Sequence, residues 1–126
     1  MKKIFFVMIL LTIFSCKSTI DRQFSVENEQ IKAEFKVETE KFIKQNSANL
    51  SNAEMLRSLD SITEEYIINK NKKLAAKFIK SESGLKRLNF LKENFSKPEI
   101  EVLLKEIPET MKADTNYLSL AKYIKL

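Results

Sequence analysis

The sequence predicts an all-α protein: a small bundle of four to six helices, one long helix plus short helices, after a cleaved signal peptide. Three observations support this prediction. The 126 residues include one Gly and two Pro, which is too few for the tight hairpin turns of an antiparallel sheet. Apolar residues recur at helical spacing over most of the chain. Two capping boxes stand where helical segments begin.

The first fifteen residues have the pattern of an export signal. Two lysines follow Met1, and an apolar run interrupted only by Thr12 extends from Ile4 to Phe14. A helix of that length spans about 16 Å, roughly half of a ~30 Å hydrocarbon core, so a transmembrane helix is the poorer interpretation. Residues 1–15 are therefore predicted to be a signal peptide that is removed.

The single cysteine follows this signal directly. The segment Ile13-Phe14-Ser15-Cys16 resembles a bacterial lipobox, with an aliphatic residue three positions before the cysteine and a small residue next to it. Phe14 is bulkier than the residue usual at its position. The resemblance implies that the Cys16 thiol carries diacylglycerol and that the new amino group is acylated. The alternatives are an ordinary cleaved signal with a chance cysteine, or a buried membrane anchor.

Lipidation at Cys16 would determine where the protein is found. Two or more acyl chains exceed the threshold of marginal, reversible membrane binding, and acylation also removes a thiol that has no partner in an oxidising compartment. We expect an exported protein that is anchored through Cys16 and faces the periplasm. By analogy with known sorting rules, Lys17 favours the outer over the inner membrane. Export also removes nucleic acid from the expected partners.

The chain is divided into three predicted regions: the signal peptide at 1–15, the lipidated cysteine with a polar tether at 16–23, and a helical domain at 24–126. In the first part of this domain two patterns compete. Apolar side chains at Phe24, Ile31, Phe35 and Phe42 favour a helix, whereas the alternation from Ile31 to Glu38 also fits a half-buried strand. No second strand is evident, and an unpaired strand leaves backbone groups unsatisfied, so a helix is preferred.

The next helix begins at a capping box, Ser51-Asn52-Ala53-Glu54, and its pattern runs to about Ser83. Its apolar face rotates near Asn69, where either the helix breaks or one long helix packs against different neighbours in its two halves. No Gly or Pro marks a break, so one long helix is favoured. The apolar residues before the change are Met55, Leu56, Leu59, Ile62 and Tyr66, and those after it are Ile67, Leu74, Ala75, Phe78 and Ile79.

The remaining helices are predicted to be short. Residues 81–84, which include the only glycine, are expected to break the helical pattern before an amphipathic helix over 85–95. A second capping box at 96–99 opens another helix, with Pro in its first turn. Asp114 or Thr115 is expected to cap the last helix.

The inventory of reactive side chains predicts a protein that is not an enzyme. The chain has no His, one Cys and one Gly. A histidine proton shuttle, a C-x-x-C redox pair, a thiolate metal cage and a glycine-rich phosphate loop are therefore all excluded. We expect no cofactor, no metal and no small-molecule substrate.

Charge is distributed unevenly along the chain. Residues 17–69 carry seven basic and ten acidic side chains, whereas residues 70–126 carry thirteen and seven. A stripe of lysines on the long helix is the candidate contact face for an acidic protein partner or anionic headgroups, although the solvated face of an amphipathic helix has the same pattern. This lysine stripe consists of Lys70, Lys73, Lys77 and Lys80.

From about Leu59 onward the chain resembles a known helical region. The similar features are a Phe-Ile pair that closes a lysine-rich helix, a short Leu-rich helix, the element "EVLLKEIPETMK", and a last helix with Tyr117, Ala121 and Ile124. They are similar to the region preceding the thioredoxin domain in exported bacterial thioredoxin-like thiol–disulfide oxidoreductase lipoproteins. The family's catalytic C-x-x-C belongs to that following domain and does not occur in this sequence, so no catalytic residue is carried over.

The resemblance implies a non-catalytic helical interaction domain, either in a truncated relative or in a free-standing copy of the accessory region, with a protein partner in the cell envelope. The alternative is a stand-alone binding lipoprotein, such as an inhibitor, an immunity protein or a holdase, that uses the basic helical face.

Overall fold

The computed structural model describes the backbone of residues 2–125 and the side chains of residues 19–125. The predicted signal peptide and the lipidation site Cys16 lie outside the described side chains. Throughout residues 2–125 every regular element is helical, which confirms the all-α prediction. The α-helices are α1 (Lys2–Asn46), α2 (Asn52–Thr63), α3 (Lys70–Lys77), α4 (Glu82–Phe90), α5 (Lys97–Lys105) and α6 (Thr115–Lys125), with a π-helical segment at Glu64–Asn69 and 3-10 turns at Lys92–Asn94 and Glu109–Met111.

Helix α1 passes without interruption through Ile31–Glu38, so the helical interpretation of that segment is confirmed and the strand alternative is wrong. The helix also includes residues 19–23, which were expected to belong to the tether. Asp21 accepts a hydrogen bond from the backbone N–H of Ser83 at 3.1 Å, and Phe24 is buried. The contacts of the folded domain therefore begin inside the predicted tether.

Helices α2 and α3 form one continuous helix through the π-helical segment, since Thr63 and Asn69 at its two junctions keep right-handed helical backbone angles. The prediction of one long helix is thus confirmed. A π turn contains one residue more than an α turn, so it rotates the face that the following residues present. This segment provides the change of face that the apolar pattern required.

Three details predicted for residues 51–84 are wrong. The long helix ends at Lys77, not near Ser83, because Phe78 leaves helical geometry and residues 78–80 form a turn. Residues 81–84 are not a non-helical break before the next helix. Ser81 is the N-cap of α4, and Gly84 lies in the first turn of that helix. The π-helical segment also leaves Ile67 exposed, while its neighbour Ile68 packs against the core.

The core lies between α3, α4, α5 and α6, and its largest fully buried side chains are Ile79, Leu85, Leu88, Ile100 and Leu120. Helix α1 packs antiparallel to α2 and α3 after the turn at residues 47–51, and it also contacts α4. A second, smaller cluster attaches α1 to this core. There Phe24 meets the Phe78 ring edge to face, with 5.7 Å between ring centroids, beside the buried Leu74.

The far end of the α1–α2 hairpin has little core of its own. Helix α2 buries no side chain, and Leu56 on it is 62% exposed. The hairpin therefore extends from the bundle as an arm that is held by partly buried contacts, among them the tilted ring pair of Phe35 and Tyr66 at 5.9 Å.

Both predicted capping boxes form, and they allow a comparison. In each, the N-cap hydroxyl (Ser51 or Ser96) accepts from the backbone N–H of a glutamate three residues later, whose carboxylate accepts in return. Asp114 caps α6 by accepting from the Asn116 N–H at 2.7 Å.

We expect Ser96→Ala to lower the global free energy of unfolding by about 1 kcal/mol in urea titrations, since α5 carries core residues.

The same substitution at the other box is the matched control. We expect Ser51→Ala to raise amide hydrogen exchange within α2 and to change the global free energy of unfolding less, because α2 buries no side chain and can open locally. Equal global losses for the two variants would contradict this difference.

Candidate functional site

Two members of the lysine stripe face glutamates of α1. The Lys70 ammonium lies 2.6 Å from the Glu34 carboxylate, and the Lys77 ammonium lies 2.6 Å from that of Glu27. The Lys70 nitrogen also lies over the Tyr66 ring, 4.1 Å from its centroid. The fold thus brings the acidic first half of the chain against the basic second half, and part of the stripe has its acidic partner within the same molecule.

The other two lysines of the stripe are exposed. Lys73 lines a shallow depression of 340 Å³ between α1 and α3, together with Glu27 and Glu34. Lys80 lies beyond the end of α3, beside Ile20 and Gln23. Within residues 19–125 neither Lys73 nor Lys80 makes an ion pair. The cationic surface that remains for another molecule is therefore smaller than the sequence pattern indicates.

At the seam between α1 and α3, the Lys70–Glu34 ion pair shifts the pKa of both of its members. The hydrogen bond from Lys70 lowers the pKa of the Glu34 carboxyl, and a second one from Gln30 at 2.9 Å acts in the same direction. The hydrogen bond to Glu34 in turn raises the pKa of Lys70. Both groups are charged at neutral pH, so the contact between α1 and α3 is an ion pair there.

The lowered pKa of Glu34 predicts how the stability of the protein depends on pH. Because the folded-state pKa of Glu34 is lowered, its contribution is present above the unfolded-state pKa and is lost as the pH falls through the folded value. We expect Glu34→Gln to be less stable than the wild type at neutral pH, and the difference in melting temperature to shrink as the pH falls through the lowered pKa of Glu34. Glu38→Gln, on the same helix, is the control substitution at a carboxylate outside the two ion pairs of the seam. A difference for Glu34→Gln that stays constant with pH would contradict the ion pair's role.

A second polar cluster lies where α1, α3 and α4 meet, and it is centred on Arg87. One terminal nitrogen of its guanidinium donates to the side-chain oxygen of Asn71, and the other donates to that of Asn28 at 2.8 Å. The guanidinium carbon lies 5.5 Å from the centroid of the Phe24 ring. Burial lowers the pKa of Arg87, but a guanidinium keeps its charge at neutral pH.

The π-helical segment orients this cluster. Asn71 is buried, and its amide nitrogen donates to the backbone carbonyl of Tyr66, five residues earlier, at 2.8 Å. That bond directs the amide oxygen of Asn71 to Arg87. Because π-helical turns often occur at functional sites, the surface next to this segment is a candidate site.

That surface carries the most exposed aromatic side chain described. Phe90, at the end of α4, is 81% exposed. Two depressions flank it and share Arg87: one of 480 Å³, lined also by Phe24, Ser83 and Lys86, and one of 170 Å³ between α1 and the π-helical segment. The smaller one is lined by Asn28, Ile31, Lys32, Phe35, Ile67, Asn71, Arg87, Phe90 and Leu91. We call this area the Arg87–Phe90 surface.

Sequence reasoning missed this surface. One signal was present, because Phe90 falls off the Leu85, Leu88 and Leu91 stripe of its own helix. The roles of Asn28 and Asn71 left no trace in the local pattern, since they depend on the approach of α1 and α4.

Over the described side chains, no three His, Cys, Asp or Glu residues meet as a metal site requires. The same part of the chain contains no helix with the length and apolar character needed to cross a bilayer. Comparison with protein-family models, with curated proteins and with solved structures found no match.

Proposed function

We propose that this chain is a lipid-anchored protein of the bacterial cell envelope whose helical domain is a non-catalytic interaction module. In this proposal the module is similar to the accessory region that precedes the thioredoxin domain in exported thiol–disulfide oxidoreductases. The anchor is Cys16, the domain faces the periplasm, and the outer membrane is favoured over the inner. The partner is another envelope protein.

The observation that carries the proposal is the short distance along the chain between the lipobox and the folded domain. Asp21 already contacts α4, and Phe24 is buried between α1 and α3. A domain that begins so close to Cys16 would be held next to the bilayer, within reach of partners at the membrane surface. The non-catalytic assignment is supported by the inventory of one Cys, one Gly and no His.

The alternative, a stand-alone binding lipoprotein, is supported by a different observation. The Arg87–Phe90 surface combines a cation, an exposed aromatic ring and two open depressions, which are features of protein contact sites. In this alternative the contact lies on that surface together with Lys73 and Lys80, because Lys70 and Lys77 are paired with glutamates of α1.

The anchor is tested by metabolic labelling with an alkyne-tagged fatty acid and by mass spectrometry of the full chain expressed in a bacterial host. We expect a polypeptide that begins at Cys16, carries the mass of a diacylglycerol and at least one amide-linked acyl chain, and sediments with membranes. Cys16→Ser should abolish the labelling, whereas Ser18→Ala should leave it unchanged. An unmodified thiol in the wild type, or a leader that stays attached after export, would overturn the proposal.

A further inference from the structure

We propose that the Arg87–Phe90 surface binds an acidic segment of a protein partner, in which a carboxylate pairs with Arg87 and an adjacent apolar side chain packs beside Phe90. The inference goes beyond the proposed function by naming the contact surface and the chemistry of the partner. It rests on that function only in expecting the partner to be an envelope protein.

The first step is that Arg87 lacks an acidic partner. Within residues 19–125 its hydrogen bonds go to the neutral amides of Asn71 and Asn28. By contrast, the partly buried lysines Lys70 and Lys72 each lie within 4 Å of a glutamate. A half-buried charge is normally paired, because desolvation without a counter-ion is costly.

The carboxylates next to Asn28 on α1 do not supply that partner. The Glu27 carboxylate pairs with the Lys77 ammonium, 2.6 Å away. The Glu29 carboxylate pairs with the Lys32 ammonium, 2.7 Å away. The positive charge of Arg87 therefore stays uncompensated by the neighbouring turns of α1.

The second step is that Arg87 has donors to offer. A guanidinium carries five N–H groups in a planar fork, and two of them are engaged by the asparagines. The remaining three can pair with a carboxylate, which a fork binds through two parallel hydrogen bonds. The two amides hold the group in one orientation, so little side-chain entropy is lost on binding. Arg87 lines both depressions, so it can be reached from solvent.

The third step is the apolar surface beside the charge. Phe90 is 81% exposed and Ile67 is 42% exposed. Burying an exposed side chain such as Phe stabilises a complex, and this stabilisation is not realised in the free chain. An aromatic ring next to an arginine is typical of the residues that dominate binding energy at protein interfaces.

The shape and charge of the surface favour an acidic protein segment over a lipid or a second copy. The two depressions lie side by side with Phe90 between them, so neighbouring side chains of one strand or helix can occupy both. Lys86, which is exposed and lines the larger depression, adds a second cation. Complementarity to this pair of cations requires negative charge. A guanidinium fork matches both carboxylate and phosphate geometry, so the preference for a protein segment rests on the two adjoining depressions, which neighbouring side chains of one segment can fill together.

The proposal is tested with a displayed library of short random peptides, panned on the full chain purified in detergent. We expect enriched peptides to carry Asp or Glu next to an apolar residue. Synthetic copies, measured by fluorescence anisotropy, should bind Arg87→Gln and Phe90→Ser about tenfold more weakly than the wild type. Arg87→Lys, which keeps the charge without the fork, should also bind more weakly. Lys105→Gln, on α5, removes an exposed cation that lines neither depression; it is the control and should bind as the wild type does.

Three results would overturn the inference: enrichment of no acidic peptide, peptides that bind Arg87→Gln and Phe90→Ser as tightly as the wild type, or preferential binding of anionic vesicles or a second copy at this surface. Circular dichroism melting shows that each variant is folded, and Phe90→Ser remains informative if Arg87→Gln is unstable. The labelling of Cys16 is independent of this measurement. Lipidation without peptide binding would reject the inference alone, and peptide binding without lipidation would reject the anchor alone.

Discussion

Gly84→Ala is expected to destabilise the protein by about 3 kcal/mol, a large fraction of the 5–15 kcal/mol typical of a domain. A Cβ on Gly84 would lie far too close to the carbonyl oxygen of Phe78 and 3.0 Å from the backbone nitrogen of Ile79. Both are backbone atoms, so no side chain can rotate away. The gain of about 1 kcal/mol in helix propensity is too small to offset this clash.

The close approach at Gly84 follows from the turn between α3 and α4. The Ser81 hydroxyl donates to the Phe78 carbonyl at 2.8 Å and accepts from the Gly84 N–H at 3.0 Å. These bonds place the first turn of α4 directly against the end of α3, so α4 must move if a side chain is added.

The measurement is urea unfolding followed by circular dichroism, with Ser83→Ala as the control in the same turn of α4. We expect Ser83→Ala to stay within about 0.5 kcal/mol of the wild type, because Ser83 contacts Asp21 through its backbone N–H. If Gly84→Ala matched the wild type, the packing of α4 against the Phe78 carbonyl would be refuted.

Leu120→Ala is expected to lower the free energy of unfolding by about 3 kcal/mol. Leu120 is the one fully buried side chain of α6, and it joins the core that includes Leu88 and Ile100. Truncation removes buried apolar area and leaves a cavity, and both effects destabilise the folded state.

Helix α6 provides its own control in Leu118, which is 55% exposed. The pair compares the same chemical change on one helix in buried and exposed positions. We expect Leu118→Ala to change the free energy of unfolding by about 0.5 kcal/mol or less. Equal losses for the two variants in urea titrations would mean that α6 does not dock through Leu120.

The buried core lies around α3 to α6, and the α1–α2 arm has little of it. The sequence patterns predicted the contacts of α5 and α6 better than the burial in the arm. Around α5 and α6, the capping box at Ser96, the Asp114 cap and the Leu-rich stripes each correspond to an observed contact. In the α1–α2 arm, the helices were predicted correctly but the burial was not. The pattern predicts Leu56 on an apolar face, but its side chain is 62% exposed, because among the described elements α2 packs mainly against α1 and the π-helical segment.

Local sequence determined which segments are helical and where most of the later ones begin. Capping side chains and apolar spacing act within a few residues, so they can be read without knowing the fold. The same reasoning recognised the rotation of the apolar face in the long helix. It did not reveal that a π-helical segment produces the rotation, because that turn is stabilised by the neighbours it packs against.

Tertiary structure alone decided the pairing of charges and the arrangement of the Arg87–Phe90 surface. The pairing of Lys70 with Glu34 joins residues that lie far apart in sequence, and the Arg87 cluster requires α1, α3 and α4 to meet. A lysine stripe has the same appearance in sequence whether solvent or an acidic helix faces it. Interactions between charges depend on distance in space, and only the packed helices determine that distance.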